Sequence, residues 1–239
     1  MRTTRFRSNK SRTYKRYRPR NKMARKYKRF TSNKSNLYKN TKISTGVANK
    51  SILRFQYEDV YGITPAGQRE FKLNSLYDPD SSGVGHQPYG LDQWAAFYNK
   101  YRVFAVKMEV TAANSDPSAA VIIALTASPT QQSLFYVSRF QELPRVKTLV
   151  LSSEVGGTSS KRLKYKAYLP KIAGLTSAQY RADEDYEATF GADPADLIYG
   201  YFGVQALNSY STSAATSCQV RIKITQYAEV YDRKFPDPS

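Results

Sequence analysis

Residues 101–112 read YRVFAVKMEVTA. Phe104, Val106, Met108 and Val110 fall on one side of an alternating pattern, and Lys107 and Glu109 on the other. Successive side chains of an extended backbone point to opposite faces, so this pattern predicts a strand with one buried and one wet face. Antiparallel sheets covered on a single side are built from such strands.

The same period recurs outward in both directions. In KSILRFQYEDVYG (50–62), Leu53, Phe55, Tyr57 and Tyr61 oppose Arg54, Gln56 and Glu58. In TSCQVRIKITQYAEVYD (216–232), Cys218, Val220, Ile222 and Ile224 oppose Arg221 and Lys223. Five more segments, at 69–76, 119–127, 145–153, 160–169 and 197–207, carry the β-branched and aromatic residues of strands. Eight one-sided strands predict an all-β fold, an eight-stranded antiparallel jelly-roll sandwich, which limits exposed edges by doubling the sheet. Helical pattern is confined to LDQWAAFYNKY (91–101) and SLFYVSRFQEL (133–143). DPDSSGVGHQPYG (78–90) and residues 170–196 read as long loops.

Charge divides the chain differently. Of its 37 Lys and Arg residues, 17 lie in residues 1–42, which contain no carboxylate; the first acid is Glu58. The remainder carries 20 basic against 19 acidic residues. This break predicts two parts: a basic arm over 1–42, disordered by itself because it cannot bury enough apolar surface, and one folded domain over 43–239.

Solubility requires only modest mixed charge. A mitochondrial transit peptide requires an amphipathic helix, which Pro19 and scattered tyrosines deny. An anionic membrane requires an inserting Leu/Trp stripe, which is missing. Nucleic acid remains as the favoured partner. Phosphate contacts release counterions, and aromatic rings among the cations stack on unpaired bases. The candidate nucleic-acid-binding residues are Arg2, Arg5, Arg7, Lys10, Arg12, Tyr14, Lys15, Arg16, Tyr17, Arg18, Arg20, Lys22, Arg25, Lys26, Tyr27, Lys28, Arg29 and Phe30. Their interleaved rings point to single strands. The clusters KRYRPR (15–20) and RKYKRF (25–30) also match basic nuclear-import patches.

Catalytic patterns are missing. His86 is the one histidine and sits in a Gly-flanked loop; Cys218 falls on the apolar face of the last strand and fits a reducing compartment. No phosphate-binding loop, nucleophile elbow or dinucleotide fingerprint occurs. No apolar run approaches the roughly 18 residues of a membrane span, and no signal-peptide core follows the start. The expectation is a non-enzyme with no cofactor and no metal. Two clusters stay open. Asp183, Glu184, Asp185 and Glu187 read as a solvated loop, a contact for a neighbouring subunit or a cation site, and Lys161, Arg162, Lys164 and Lys166 as a solvated strand face or a second nucleic-acid contact.

RTYKRYRPR (12–20) and HQPYGLDQWAAFYNKYRVFAVKMEV (86–110) together carry a resemblance. A Gly/Pro loop leads to a short helix with a Tyr- and Phe-containing end, then to a strand of the form Y-x-V-x-x-x-K-x-x-V, matched by Tyr101, Val103, Lys107 and Val110. The chain resembles the capsid proteins of circular, Rep-encoding single-stranded DNA viruses, the circovirus-like group, although its arm has more Lys and Tyr than the almost pure Arg arm of the best-known members. The resemblance implies a homo-oligomeric, icosahedral T=1 shell of about sixty copies, with arms inside on a single-stranded DNA genome and loops outside. It also implies passage through the host nucleus by an import receptor, with the attachment factor unknown. A cellular nucleic-acid-binding structural protein of ribosomal type, and the capsid of a small RNA virus, are the competing expectations.

Overall fold

The computed structural model describes residues 47–63, 68–132, 142–207 and 218–234. The chain divides into two units, Met1–Gly46 and Val47–Ser239, and all described residues belong to the second. The arm and its candidate residues, and residues 133–141 of the second expected helix, lie outside the described residues.

Each of the eight expected strands forms, with ends displaced by a few residues. They are β1 (Ser51–Ile63), β2 (Gln68–Lys72), β3 (Tyr98–Asn114), β4 (Val121–Ser128), β5 (Lys147–Leu151), β6 (Ser160–Tyr168), β8 (Tyr199–Ala206) and β9 (Cys218–Arg233), with a two-residue β7 (Ala188–Thr189) in addition. The larger sheet runs β1-β9-β3-β6, with β7 paired to one end of β3; the smaller runs β2-β8-β4-β5. All pairings are antiparallel.

The first long strand thus pairs with the last, β2 with β8, β3 with β6, and β4 with β5. This nesting is a long hairpin rolled up so that its strands alternate between two sheets, the jelly roll. The sequence produces it because every strand has at least one apolar face, and the apolar faces of the two sheets must close on each other; β4 and β8 are in addition buried on their outer side, around Ala124 and Tyr201. Tyr57, Met108 and Ile224 of the larger sheet meet Phe71, Ile123 and Phe202 of the smaller in one buried core.

Two close contacts join the layers. Gln226 on β9 is fully buried and donates through Nε2 to the carbonyls of Leu73 (2.9 Å) and Ser75 (2.6 Å), just beyond β2. Gly200 on β8 passes so close to the core that a β-carbon there would lie 2.6 Å from Leu73 Cδ2 and 3.0 Å from Met108 Sδ.

Three local expectations are corrected. Phe104 is only half-buried, because the β3–β9 register shifts between Val103 and Ala105 and turns Tyr101 and Val103 into the core instead. The helix expected at 91–101 is a single turn, α1 (Leu91–Ala95). Gly90 gives it no capping side chain, and ladder pairing of Tyr98 with Arg233 takes the rest into β3.

The loop expected over 170–196 contains α2 (Leu169–Ile172), α3 (Ser177–Ala182), a 3₁₀ turn (Glu184–Tyr186) and β7. Helix α3 starts with a capping box, in which Thr176 accepts from the Gln179 backbone and Gln179 reaches back. These elements are too short for apolar periodicity to announce them.

Candidate nucleic-acid interface

The face of the larger sheet that points away from the core collects most of the domain's strand-borne cations. Strand register sets them in rows. One row runs Gln56, Thr225, Lys107 and Lys166; the next Glu58, Lys223, Glu109 and Lys164; the third Val60, Arg221, Thr111 and Arg162. Six cations thus share three rows with two carboxylates. A domain whose basic and acidic residues nearly balance is therefore polarised, with a cationic sheet face and acidic loops.

Both carboxylates are fully engaged. Glu58 bridges Arg221 and, at 3.9 Å, Lys223. Glu109 bridges Lys107 at 3.0 Å and Lys164 at 3.5 Å, and these partners, Lys107 first, hold its carboxyl below the usual range. Arg162 and Lys166 have no ion pair among the described residues. Lys164 is 53% and Arg221 66% exposed at the side chain, so both remain open to a polyanion. Exposed ion pairs of this type contribute little to stability, whereas an ordered array of cations attracts phosphate over a Debye length. Of the two readings open for Lys161, Arg162, Lys164 and Lys166, the solvated face is thus a solvated cationic face. Lys161 stands apart, its register partner Ala112 facing the core, and donates to the Val150 carbonyl at 3.2 Å.

The other end of this face is covered. Arg102 projects from β3 beneath α3 and donates from Nη1 to the Arg181 carbonyl (2.6 Å) and from Nη2 to the Asp183 carbonyl (2.9 Å) and Glu187 (2.8 Å). Lys100 adds a 2.6 Å bond to Glu187, and the Tyr231 hydroxyl a further short one. Burial pushes the Glu187 carboxyl up, but these donors outweigh it and leave its pKa lowered. Tyr180 donates to the Val103 carbonyl and stacks on Tyr186 at 4.6 Å. Glu187 is therefore a structural staple rather than a solvated loop residue. Asp183 caps the 3₁₀ turn through the Asp185 amide, and no metal-holding group of carboxylates, His and Cys occurs among the described residues. Sequence reasoning missed Arg102, because nothing in an alternating strand tells which outward cation will be roofed over.

His86 and Cys218 lack the geometry of catalysis. His86 faces two carbonyl oxygens, Gln87 at Nδ1 (2.9 Å) and Glu58 at Nε2 (3.0 Å), and stacks on Tyr57 at 4.5 Å. Both ring nitrogens meet acceptors, so the protonated ring fits best and the pKa is raised, the Gln87 carbonyl contributing most. Cys218 is buried, and burial pushes its thiol up to about 11, which leaves almost no thiolate at neutral pH.

No protein-family model and no curated protein matches the sequence. Among solved structures, the chain is similar to Desmodium yellow mottle tymovirus, with 11% identity and a TM-score of 0.43 over 84% of this chain and 99% of that one. It is similar to the decameric BFDV capsid protein, with 12% identity and a TM-score of 0.43 over 77% and 99%. A semi-empty virus-like particle of Macrobrachium rosenbergii nodavirus aligns at 10% identity and a TM-score of 0.42 over 82% and 100%. The jelly-roll assignment rests on the chain's own strand order.

Proposed function

We propose that this chain is a viral capsid protein, whose jelly-roll domains assemble into a closed icosahedral shell and whose arm binds the packaged single-stranded genome. One observation carries the reading: an acid-free arm with 17 cations precedes a nearly neutral jelly roll whose cations gather on one open sheet face. About sixty such arms bring roughly 1,000 positive charges to one interior, enough to offset a large share of the phosphate charge of a small genome. Both ring nitrogens of His86 are taken up by carbonyls and the Cys218 thiol is buried, which favours a structural over a catalytic role.

The domain boundary near residue 42, the aromatic stacking in the arm, nuclear import through 15–20 and 25–30, and DNA rather than RNA as genome belong to this proposal. Their support is composition and the resemblance of residues 12–20 and 86–110. Electron microscopy of the purified protein is the test, with absorbance and nuclease treatment of the particles. Closed shells holding DNA are expected. Shells holding RNA would move the chain to the RNA-virus reading, and a monomer without shells under all assembly conditions would overturn the capsid reading.

A further inference from the structure

Where β6 ends and β5 begins, the two sheets part and leave a groove of about 410 Å³, within the range of small-ligand sites. Arg145, Lys147, Lys166 and Lys171 line it, with Tyr165 and Tyr168, and no carboxylate does. None of the four cations forms an ion pair among the described residues. Two are held by backbone oxygens that position them without neutralising them: Arg145 Nη1 donates to the Lys171 carbonyl (3.2 Å) and Lys147 Nζ to the Lys164 carbonyl (3.1 Å).

Two further features run against stability and in favour of a ligand. Lys166 stands opposite Lys107 in the β3–β6 ladder, a like-charge pairing that opposes folding. Arg145 adopts the left-handed backbone region at φ 66°, disfavoured for a residue with a β-carbon. Beside them Tyr168 is 46% exposed, and its hydroxyl is hydrogen-bonded to Ser177, which restrains the ring.

We propose that this groove is a nucleotide subsite for single-stranded nucleic acid, in which Arg145, Lys147, Lys166 and Lys171 take the phosphates and Tyr168 stacks on one unpaired base. The inference rests on the packaging reading and adds to it a discrete site on the folded domain. Four unneutralised cations call for a polyanion, and a tethered, half-exposed aromatic ring suits a flat base better than a sugar-sulfate chain. Duplex is disfavoured because its bases are already stacked.

The test is photocrosslinking of the full-length protein to a short oligonucleotide containing iododeoxyuridine, followed by peptide mapping. An adduct on the peptide carrying Tyr168 is expected. It should persist in Tyr168→Phe and fall about tenfold or more in Tyr168→Leu, and also in Lys147→Thr/Lys166→Thr, while adducts on arm peptides stay unchanged. Adducts confined to the arm would overturn the subsite and leave the packaging reading intact. No adduct anywhere, with no nucleic acid retained by the protein, would instead remove the packaging reading. A heparin oligosaccharide whose binding depends on Lys147 and Lys166, with no oligonucleotide adduct at Tyr168, would assign the groove to a sulfated polysaccharide and overturn the proposal.

Discussion

Lys166 on β6 and Lys107 on β3 are direct partners across an antiparallel ladder, side by side on the wet face of the larger sheet. Only Lys107 has a carboxylate, Glu109 at 3.0 Å. Like charges placed this way destabilise a sheet by about 0.2–1 kcal/mol. Lys166→Thr, which places a β-branched residue with good strand propensity at this position, should therefore raise stability to chemical denaturation by up to about 1 kcal/mol. It should also make the salt dependence of single-strand binding shallower by about 0.7 in log–log slope if Lys166 contacts one phosphate. Stability rising as binding weakens is the signature of a cation kept for its ligand; a drop in stability would mean that Lys166 supports the fold.

Arg102 anchors α3 and the 3₁₀ turn to β3, so Arg102→Met should leave two carbonyls and Glu187 short of donors. A loss of about 3–5 kcal/mol is expected, measured by urea unfolding, with early proteolytic cleavage within 176–187. Because the Glu187 pKa is lowered in the fold, its contribution is present above the unfolded carboxylate range and is lost as pH falls through the folded value. Acid should release this segment first, which hydrogen exchange would register, and Glu187→Gln should flatten that dependence.

His86 has the opposite sign. Its pKa is raised by the carbonyls of Gln87 and Glu58, with Asp59 adding in the same direction. The clamp it forms between the 78–90 loop and β1 is therefore complete below the ordinary histidine value of about 6.5. It weakens as pH rises through the folded pKa. As the chain's one histidine, its ring gives an unambiguous NMR titration, and a midpoint below about 6.5 would contradict the clamp.

Gly200→Ala tests the close approach of the sheets. The added methyl would meet Leu73 and Met108, both fully packed, and the expected cost is about 1–3 kcal/mol. An unchanged melting temperature would show that Leu73 has room to turn away.

In the arm, replacing Tyr14, Tyr17, Tyr27 and Phe30 by Leu keeps every charge. Affinity of an arm peptide for single strands should fall tenfold or more while duplex affinity holds, since stacking contributes about 1–3 kcal/mol per base. Equal losses on both would leave the arm a purely electrostatic device. Deletion of residues 1–42 should yield particles with reduced nucleic-acid absorbance, and full absorbance would refute a packaging arm.

The chain's alternation determined more than the number of strands. Runs such as Phe55–Tyr57 or Ile222–Ile224 have a single apolar face that can be buried only against another, so two closed layers follow from side-chain period; the burial of β4 and β8 on both faces depended on what packs outside them. The acid-free arm was equally legible, because charge counts require no neighbours. Tertiary structure decided what depends on register. The bulge that exchanged Phe104 for Val103 in the core, the roof that made Arg102 a staple while Lys166 stayed open, and the gathering of Arg145, Lys147, Lys166 and Lys171 around Tyr168 all join residues from different strands. Their distances are set by which strand lies beside which. A one-residue change in pairing would have sent the same side chains elsewhere.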